Sequence, residues 1–154
     1  MSSYATREEA DTFLSSLLGM NSWDKADDAE KERALATATM HLDALEASPG
    51  LRGKRKAPEQ AQAFPRSFEA DISDAVKHAC CLEAAALLEE QSDGSASRRR
   101  LAVRQGVASV SIGNASESYR TASELSGGMR GRLSSEDAAV LMLPYLAGRV
   151  VPIR

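Results

Sequence analysis

One stretch of the sequence has residue types that could contact a nucleotide: ELSGGMRGRL, from Glu124 to Leu133. It is similar to the LSGGQ signature that certain ATPases lay against a neighbour's nucleotide, with Met129 in place of the glutamine. Such an ATPase also needs a strand that leads into a GxxxxGK[ST] phosphate loop. That pattern does not occur in the sequence, so we interpret the stretch as a glycine-rich connection before the last helix.

The histidines and cysteines do not form a pattern that is typical of catalysis. His41 and His78 fall in different predicted helices, without acidic or cysteine partners at ligand spacing, and no GxSxG sequence occurs. Cys80 and Cys81 are adjacent, which disfavours a disulfide between them, and side chains about 100° apart on a helix do not readily share a metal. We therefore expect no enzymatic activity, no bound metal and no cofactor. At least one of the two cysteines is expected to serve as a small buried residue.

Two basic clusters are candidates for contact with nucleic acid: RGKRK at Arg52 to Lys56, and RRR at Arg98 to Arg100 with Arg104 following. The net charge of −3 gives no global attraction to phosphates, so any DNA contact must be local. No aromatic residue interleaves with these arginines, which argues against a stacking platform for single strands. Solvated loop charge and non-specific phosphate contact both remain open.

The composition predicts one mainly α-helical domain over residues 1–154. Hydrophobic residues make up 43% of the chain but aromatic residues only 5%, so the core should consist of helices packed closely through alanine. No run of about 18 apolar residues could span a bilayer, and the amino terminus lacks a signal-peptide pattern. The chain is therefore expected to be soluble and intracellular at synthesis.

Capping residues and apolar spacing predict a small bundle of about four helices. The helical core is placed at residues 6–48, 73–91 and 135–147. Within it, Thr6 begins the first helix and Gly19 ends it, Asp27 or Asp28 begins the second, and Ser73 begins the third. The last helix begins at about Ser135 and is expected to break near Pro144.

Two further segments are predicted between these helices. Residues 51–71 read as a long irregular loop, in which Phe64 plugs a hydrophobic pocket and Pro65 fixes the backbone that follows. Residues 107–119 alternate in character around Gly113 and Asn114, which predicts a small β-hairpin before the last helix. A hairpin alone is marginally stable in water, so it should pack on another surface.

Six pieces of the sequence, in this order, resemble one known family: YATREEADTFL, AEKERALATATMHLDAL, QAQAFPR, ISDAVKHACCLEAAALL, QGVASVSIGNASESY and LMLPYLAG. The family is that of the tailed-phage head-to-tail connector adaptors, or head-completion proteins, some members of which are labelled DnaT-like single-stranded DNA-binding proteins. The pieces cover most of the chain. The sequence departs from the family pattern at Ser73, where many relatives have proline, and in the longer Gly-Arg-rich stretch 126–132.

The resemblance implies a structural protein of the virion, located in the head-tail neck after synthesis in the host cytoplasm. Its subunits would form a homo-oligomeric ring, a dodecamer, that binds the portal protein and extends the DNA channel. The ring would touch genomic DNA non-specifically and dock a neck stopper or tail-completion protein, without any membrane. The alternatives are a single-stranded DNA-binding accessory protein, or a stopper or tail-completion protein in the same neck.

Under the connector interpretation, the long loop and the carboxy-terminal tail are expected to contact the portal or a neighbouring subunit. These residues are Arg52, Lys54, Arg55, Lys56, Phe64, Pro65, Arg66, Arg149, Val151, Ile153 and Arg154. The hairpin is expected to make ring or tail-side contacts through Val107, Val110, Ile112 and Tyr119. Possible contacts with DNA phosphates are Arg98, Arg99, Arg100 and Arg104.

Overall fold

The structure, a computed structural model, describes residues 2–94, 109–112, 115–118 and 132–148. These residues form five α-helices and two strands: α1 (Arg7–Leu14), α2 (Asn21–Lys25), α3 (Asp28–Ala44), α4 (Asp74–Ser92), β1 (Ser109–Ile112), β2 (Ala115–Ser118) and α5 (Glu136–Met142). A π-helical turn at Glu46–Gly50 follows α3, and a 3-10 turn at Leu143–Tyr145 follows α5. The protein is therefore mainly helical, as its composition predicts.

The predicted helix starts are confirmed. Thr6 caps α1 by accepting a hydrogen bond from the Glu9 backbone, and the Glu9 carboxylate accepts one in return from the Thr6 N–H. Asp27, the first of the two candidate caps, makes the same reciprocal arrangement at the start of α3. Ser73 and Ser135 cap α4 and α5 through their hydroxyl oxygens. Each cap satisfies a backbone donor that the first helical turn leaves unpaired.

The end of α1 differs from the prediction. The helix stops at Leu14 rather than continuing to Gly19, and the hydroxyl of Ser15 donates back to the Thr12 carbonyl at 3.0 Å. Hydrogen bonds of this kind compete with the regular helix ladder. Leu18, which follows the end of α1, is 97% exposed.

The short helix α2 was not predicted, and it buries Trp23. The indole is 1% exposed, and its Nε1 donates a hydrogen bond to Asp11 Oδ1 at 2.9 Å. Lys31 Nζ donates to the same carboxylate oxygen at 2.8 Å. Trp23 therefore fastens the connection between α1 and α3 to both helices.

Helix α4 is the centre of the fold, because α1, α2, α3 and α5 all contact it. Its inward positions include small side chains such as Ala79 and Ala84, both fully buried, which allow neighbouring helices to approach closely. Cys80 and Cys81 are buried free thiols. Burial raises the pKa of both thiols, that of Cys81 to about 12, so they remain protonated packing groups. Among the described helices, none is long and apolar enough to cross a membrane.

Strands β1 and β2 pair antiparallel, with Ser109 opposite Ser118 and Ile112 opposite Ala115. Both strands lie within the range predicted for the hairpin. Val107 and Tyr119 lie outside the described residues, as do the second basic cluster and the carboxy-terminal tail from Arg149. The contacts expected of those residues stay predictions.

Candidate nucleic-acid interface

The loop of residues 51–71 contains no named helix or strand, as predicted, yet backbone hydrogen bonds give it a defined shape. Its two arms fold back on each other, since Ser67 N donates to the Lys54 carbonyl at 2.8 Å and Lys56 N donates to the Pro65 carbonyl at 3.1 Å. The start of the loop is hydrogen-bonded to the 3-10 turn that follows α5, because Arg52 N donates to the Tyr145 carbonyl at 2.7 Å. The loop is therefore a fixed platform.

Arg66 holds this loop together from inside. Its side chain is 2% exposed, and its guanidinium donates to Glu46 Oε1 at 2.6 Å and to the backbone carbonyls of Arg52, Gly53 and Ala63. A buried charge needs partners of this kind, because losing its hydration is otherwise very costly. The geometry gives Arg66 a structural role within its own chain.

Arg55 approaches the same carboxylate from the other side. Its Nε and one terminal nitrogen donate to Glu46 Oε2 at 3.0 and 2.6 Å, and its other terminal nitrogen donates to the Gln60 carbonyl at 2.8 Å. The hydrogen bonds from Arg55, and then those from Arg66, lower the pKa of Glu46. Two of the cations predicted to meet a partner in this loop are thus engaged by one internal carboxylate.

Phe64 is packed inside the protein, as its predicted role of plugging a hydrophobic pocket requires. The ring is 2% exposed and meets the rings of Tyr4 and Tyr145 edge to face, with centroids 5.7 and 5.3 Å away. The preceding loop is further secured by the Tyr4 hydroxyl, which donates to Asp43 and accepts from the Phe64 N–H. This pocket belongs to the chain itself.

Arg52 and Phe68 form the exposed part of the platform. The Arg52 guanidinium carbon lies 4.7 Å from the centroid of the Phe68 ring, within the distance of a cation–π contact. Phe68 is 47% exposed. The pair therefore presents a positive charge and an aromatic face to the solvent at one place.

Tyr145 packs against the ring of this pair. Its ring is inclined by 29° to that of Phe68, with centroids 6.2 Å apart. The Tyr145 hydroxyl is within 2.5 Å of Ser73 Oγ and donates to Glu69 Oε1 at 3.0 Å. Burial raises the pKa of Tyr145, so the hydroxyl keeps its proton and its donated hydrogen bond. Phe68 therefore packs against a ring whose hydroxyl is hydrogen-bonded to both Ser73 and Glu69.

Gly53 and two lysines complete the surface. Gly53 adopts a positive φ of 71°, and a Cβ at this position would lie 3.1 Å from Phe68 Cδ1, so only glycine lets the backbone pass this close to the ring. Lys54 is exposed, and Lys56 is exposed with its Nζ on the Ala70 carbonyl. We call Arg52, Lys54, Lys56 and Phe68 the aromatic–basic surface.

An aromatic ring accompanies the first basic cluster, which the sequence did not indicate. No aromatic residue interleaves with RGKRK along the chain, but the fold brings Phe68 onto Arg52 from the far arm of the loop. The signal that could have indicated this is the glycine inside the basic cluster. A glycine there allows the chain to turn back and lets a ring lie against the backbone.

A second polar group that sequence reasoning missed lies around Glu83, which is fully buried on α4. Glu83 accepts hydrogen bonds from the backbone N–H groups of Ser134 and Ser135, and His41 Nδ1 lies 2.7 Å from its Oε1. Burial alone would raise the pKa of Glu83, but these hydrogen bonds outweigh it and lower the pKa. The ionised carboxylate fixes the start of α5, which is a structural role.

The described residues contain no group of three or more side chains able to hold a metal ion. A protein-family model described as "Putative DnaT-like ssDNA binding protein" matches residues 1–150 of the chain. The matched range contains the whole aromatic–basic surface and the second basic cluster. No curated protein and no solved structure matches the chain.

Proposed function

The chain belongs to the DnaT-like ssDNA binding protein family, and on this premise we propose that it binds single-stranded DNA without reading its sequence. The observation that carries the proposal is the placement of Arg52 over the half-exposed ring of Phe68. Proteins that bind single strands combine aromatic rings, on which bases stack, with cations that follow the phosphates. The aromatic–basic surface supplies both.

The expected affinity of one copy is modest. Stacking of one base on an aromatic ring contributes about 1–3 kcal/mol, and the surface offers three cations for phosphates. The net charge of −3 adds no long-range attraction. Tight binding would therefore require several copies on one strand, so that each weak contact adds to the next.

The proposal is tested by titrating the full chain into a fluorescent single-stranded oligonucleotide of about 12 nucleotides, a typical site size for such proteins. Fluorescence anisotropy is followed at several salt concentrations. Binding should weaken as salt rises, with a log–log slope of roughly −1.5 to −2 if two or three phosphates are contacted. No binding at about 50 mM salt, where phosphate contacts are strongest, would overturn the proposal.

A duplex of the same sequence is the matched control. Bases in a duplex are already stacked on each other, so Phe68 could not insert its face between them without unstacking. Single-stranded DNA should therefore bind more tightly than the duplex. Equal binding of the two would reduce the interaction to phosphate contact alone and remove the role proposed for Phe68.

The second candidate function is the connector adaptor of the phage neck, a ring beneath the portal protein. The exposed turn after α1 favours it, since Leu18 is 97% and Leu17 36% exposed and adjacent in sequence. Two adjacent exposed leucines on a turn are typical of a surface that a neighbouring subunit covers, because association removes them from water. The fold also contributes a compact helical body in which the loop of residues 51–71 is preformed.

This candidate is tested by adding the purified chain to DNA-filled, tailless capsids and imaging the portal vertex by electron cryomicroscopy. Added ring density under the portal would support the adaptor role. A Leu18→Ser chain, which should fold normally because that side chain touches little, should add less density. An unchanged vertex, together with tight binding to the oligonucleotide, would contradict the adaptor role and support DNA binding only.

A further inference from the structure

A groove of about 540 Å³ lies between α1 and α4. Its lining includes the apolar side chains of Ala5, Phe13 and Cys81 and the carboxylates of Glu8, Glu9 and Asp74. The residues that line this groove do not include Arg52, Lys54 or Phe68. The groove and the aromatic–basic surface therefore share no residue.

Two aromatic side chains, Phe13 and His78, are among the residues that line the groove. Phe13 and His78 stack with their centroids 4.0 Å apart and their planes 3° from parallel. Both rings are only partly buried, so the groove exposes ring surface at its side. A ring or a guanidinium from another molecule could lie against the exposed part of these two rings.

The carboxylates give the groove a negative rim. Glu9 is paired with Lys77 at 2.7 Å and also accepts from the Thr6 backbone. Glu8 reaches its neighbour Arg7 at 3.1 Å but its side chain is 74% exposed, and Asp74 is exposed at the start of α4. Three carboxylates against the single lysine in the lining leave the groove acidic.

The groove therefore resembles a single strand of DNA in presenting anions beside partly exposed aromatic rings. From this charge and shape complementarity we infer that the groove of one copy receives the aromatic–basic surface of a second copy of this chain. Phe68 lies against the Phe13 side of the groove, and Arg52 and Lys54 face Glu8 and Asp74. This association does not depend on DNA binding.

The contact is head-to-tail, because two different surfaces of the chain meet. Each copy keeps one free groove and one free aromatic–basic surface, so association continues into a ring or an open chain of copies. DNA and the groove also compete for the same side chains, a consequence that rests on the proposed function. Single-stranded DNA should therefore separate associated copies.

The experiment compares the full chain with two charge-reversed chains by sedimentation velocity, without DNA and at low salt. One carries Glu8→Lys and Asp74→Lys in the groove, and the other carries Arg52→Glu and Lys54→Glu on the aromatic–basic surface. Each alone should associate at least about tenfold more weakly than the unchanged chain, because like charges then meet. A chain with Asp24→Lys and Glu32→Lys, two exposed acids outside the groove lining, is the matched control and should associate normally.

The decisive measurement is made on a mixture of the two charge-reversed chains. Opposite charges face each other again only between unlike chains, so the mixture should regain association that neither chain shows alone. An unchanged chain that stays monomeric at high concentration, or a mixture that does not associate, overturns the inference. Circular dichroism is used to check that each variant is folded.

A last arm separates this inference from the proposed function. A short oligothymidine is added to the associated, unchanged chain, and the sedimentation coefficient is measured again. Dissociation is the expected result. If the oligonucleotide does not bind at all, the proposed function fails while the head-to-tail contact stands; if it binds without dissociating the copies, the shared use of Arg52 and Phe68 is overturned.

Discussion

The guanidinium of Arg52 lies 4.7 Å above the centre of the Phe68 ring, on a platform that the chain builds from a loop. Both partners are held in place: the Tyr145 ring packs against Phe68, and the Arg52 backbone is hydrogen-bonded to Tyr145 and to Arg66. A ring held in this way loses little conformational freedom when a base stacks on it. Preorganisation of this kind increases affinity by lowering the entropy lost on binding.

The first prediction concerns the Phe68 ring. Phe68→Ala should weaken binding of a single-stranded oligonucleotide by roughly 5- to 160-fold, because one stacked base contributes about 1–3 kcal/mol. Phe68→Trp should retain binding, since the larger ring still offers a stacking face. Anisotropy titrations at one salt concentration measure the three affinities.

The control for this prediction is Met40→Ala, which removes another exposed apolar side chain, 54% exposed on α3. It should leave the affinity unchanged. A loss of affinity in Met40→Ala as large as that in Phe68→Ala would mean that general surface hydrophobicity, rather than stacking at residue 68, holds the oligonucleotide.

The second prediction uses salt to count phosphates. Arg52→Gln should reduce the magnitude of the log–log salt slope by about 0.7, the value expected when a protein neutralises one phosphate fewer on a single strand. Arg33→Gln, at an exposed position on α3, should leave the slope as it is. The slope is read from titrations over a series of salt concentrations. A slope that stays constant in Arg52→Gln would place the phosphates elsewhere on the chain.

Local signals in the sequence were sufficient for the helix starts. Residue type and the apolar spacing that follows indicate Thr6, Asp27 or Asp28, Ser73 and Ser135 as helix caps. In the structure Thr6, Asp27, Ser73 and Ser135 each cap a helix. Capping depends on the next three residues alone, so it can be read without knowledge of the fold.

Long-range pairing could not be read in the same way. Arg66 and Arg55 look like free cations in the sequence, yet both bind Glu46, which stands outside the loop. Phe68 meets Arg52 only because the two arms of the loop fold together. Which charges stay exposed depends on tertiary contacts, so the sequence indicated the basic loop but not the surface within it.

The third prediction distinguishes the two arginines on Glu46. Arg66→Met should cost about 3–5 kcal/mol of folding free energy, because it removes one partner of a buried ion pair and several hydrogen bonds to backbone carbonyls. Arg55→Met should cost at most about 1 kcal/mol, since the Arg55 side chain is 36% exposed and partly exposed pairs contribute little. Urea unfolding midpoints measure both losses, provided that the slope with denaturant stays the same.

Equal losses in the two variants would show that Arg66 is not the principal support of the loop. The Arg66→Met chain should also bind the oligonucleotide more weakly although it retains Arg52 and Phe68. It lacks the guanidinium that holds the Arg52 and Gly53 carbonyls in place, so the aromatic–basic surface loses its fixed geometry.

The last prediction concerns Glu83, the buried carboxylate that joins α4 to the start of α5. Glu83→Gln should cost about 2–4 kcal/mol at pH 7, because the amide group of glutamine would turn a donor toward the N–H groups of Ser134 or Ser135. The pKa of Glu83 is lowered in the folded chain. Its stabilising contribution is therefore complete above the unfolded-state pKa of about 4.3 and is lost as the pH falls through the folded-state pKa.

The measurement is the free energy of unfolding of the unchanged chain and of Glu83→Gln from pH 7 downward. Other carboxylates with lowered pKa values, such as Glu9 and Glu46, titrate equally in both chains, so the difference between the two isolates Glu83. That difference should be constant down to about pH 5 and shrink below the unfolded-state pKa. Glu32→Gln, at an exposed position on α3, should show no such difference at any pH. A gap between the unchanged chain and Glu83→Gln that widens as the pH falls would contradict the assignment of an ionised Glu83 beside His41.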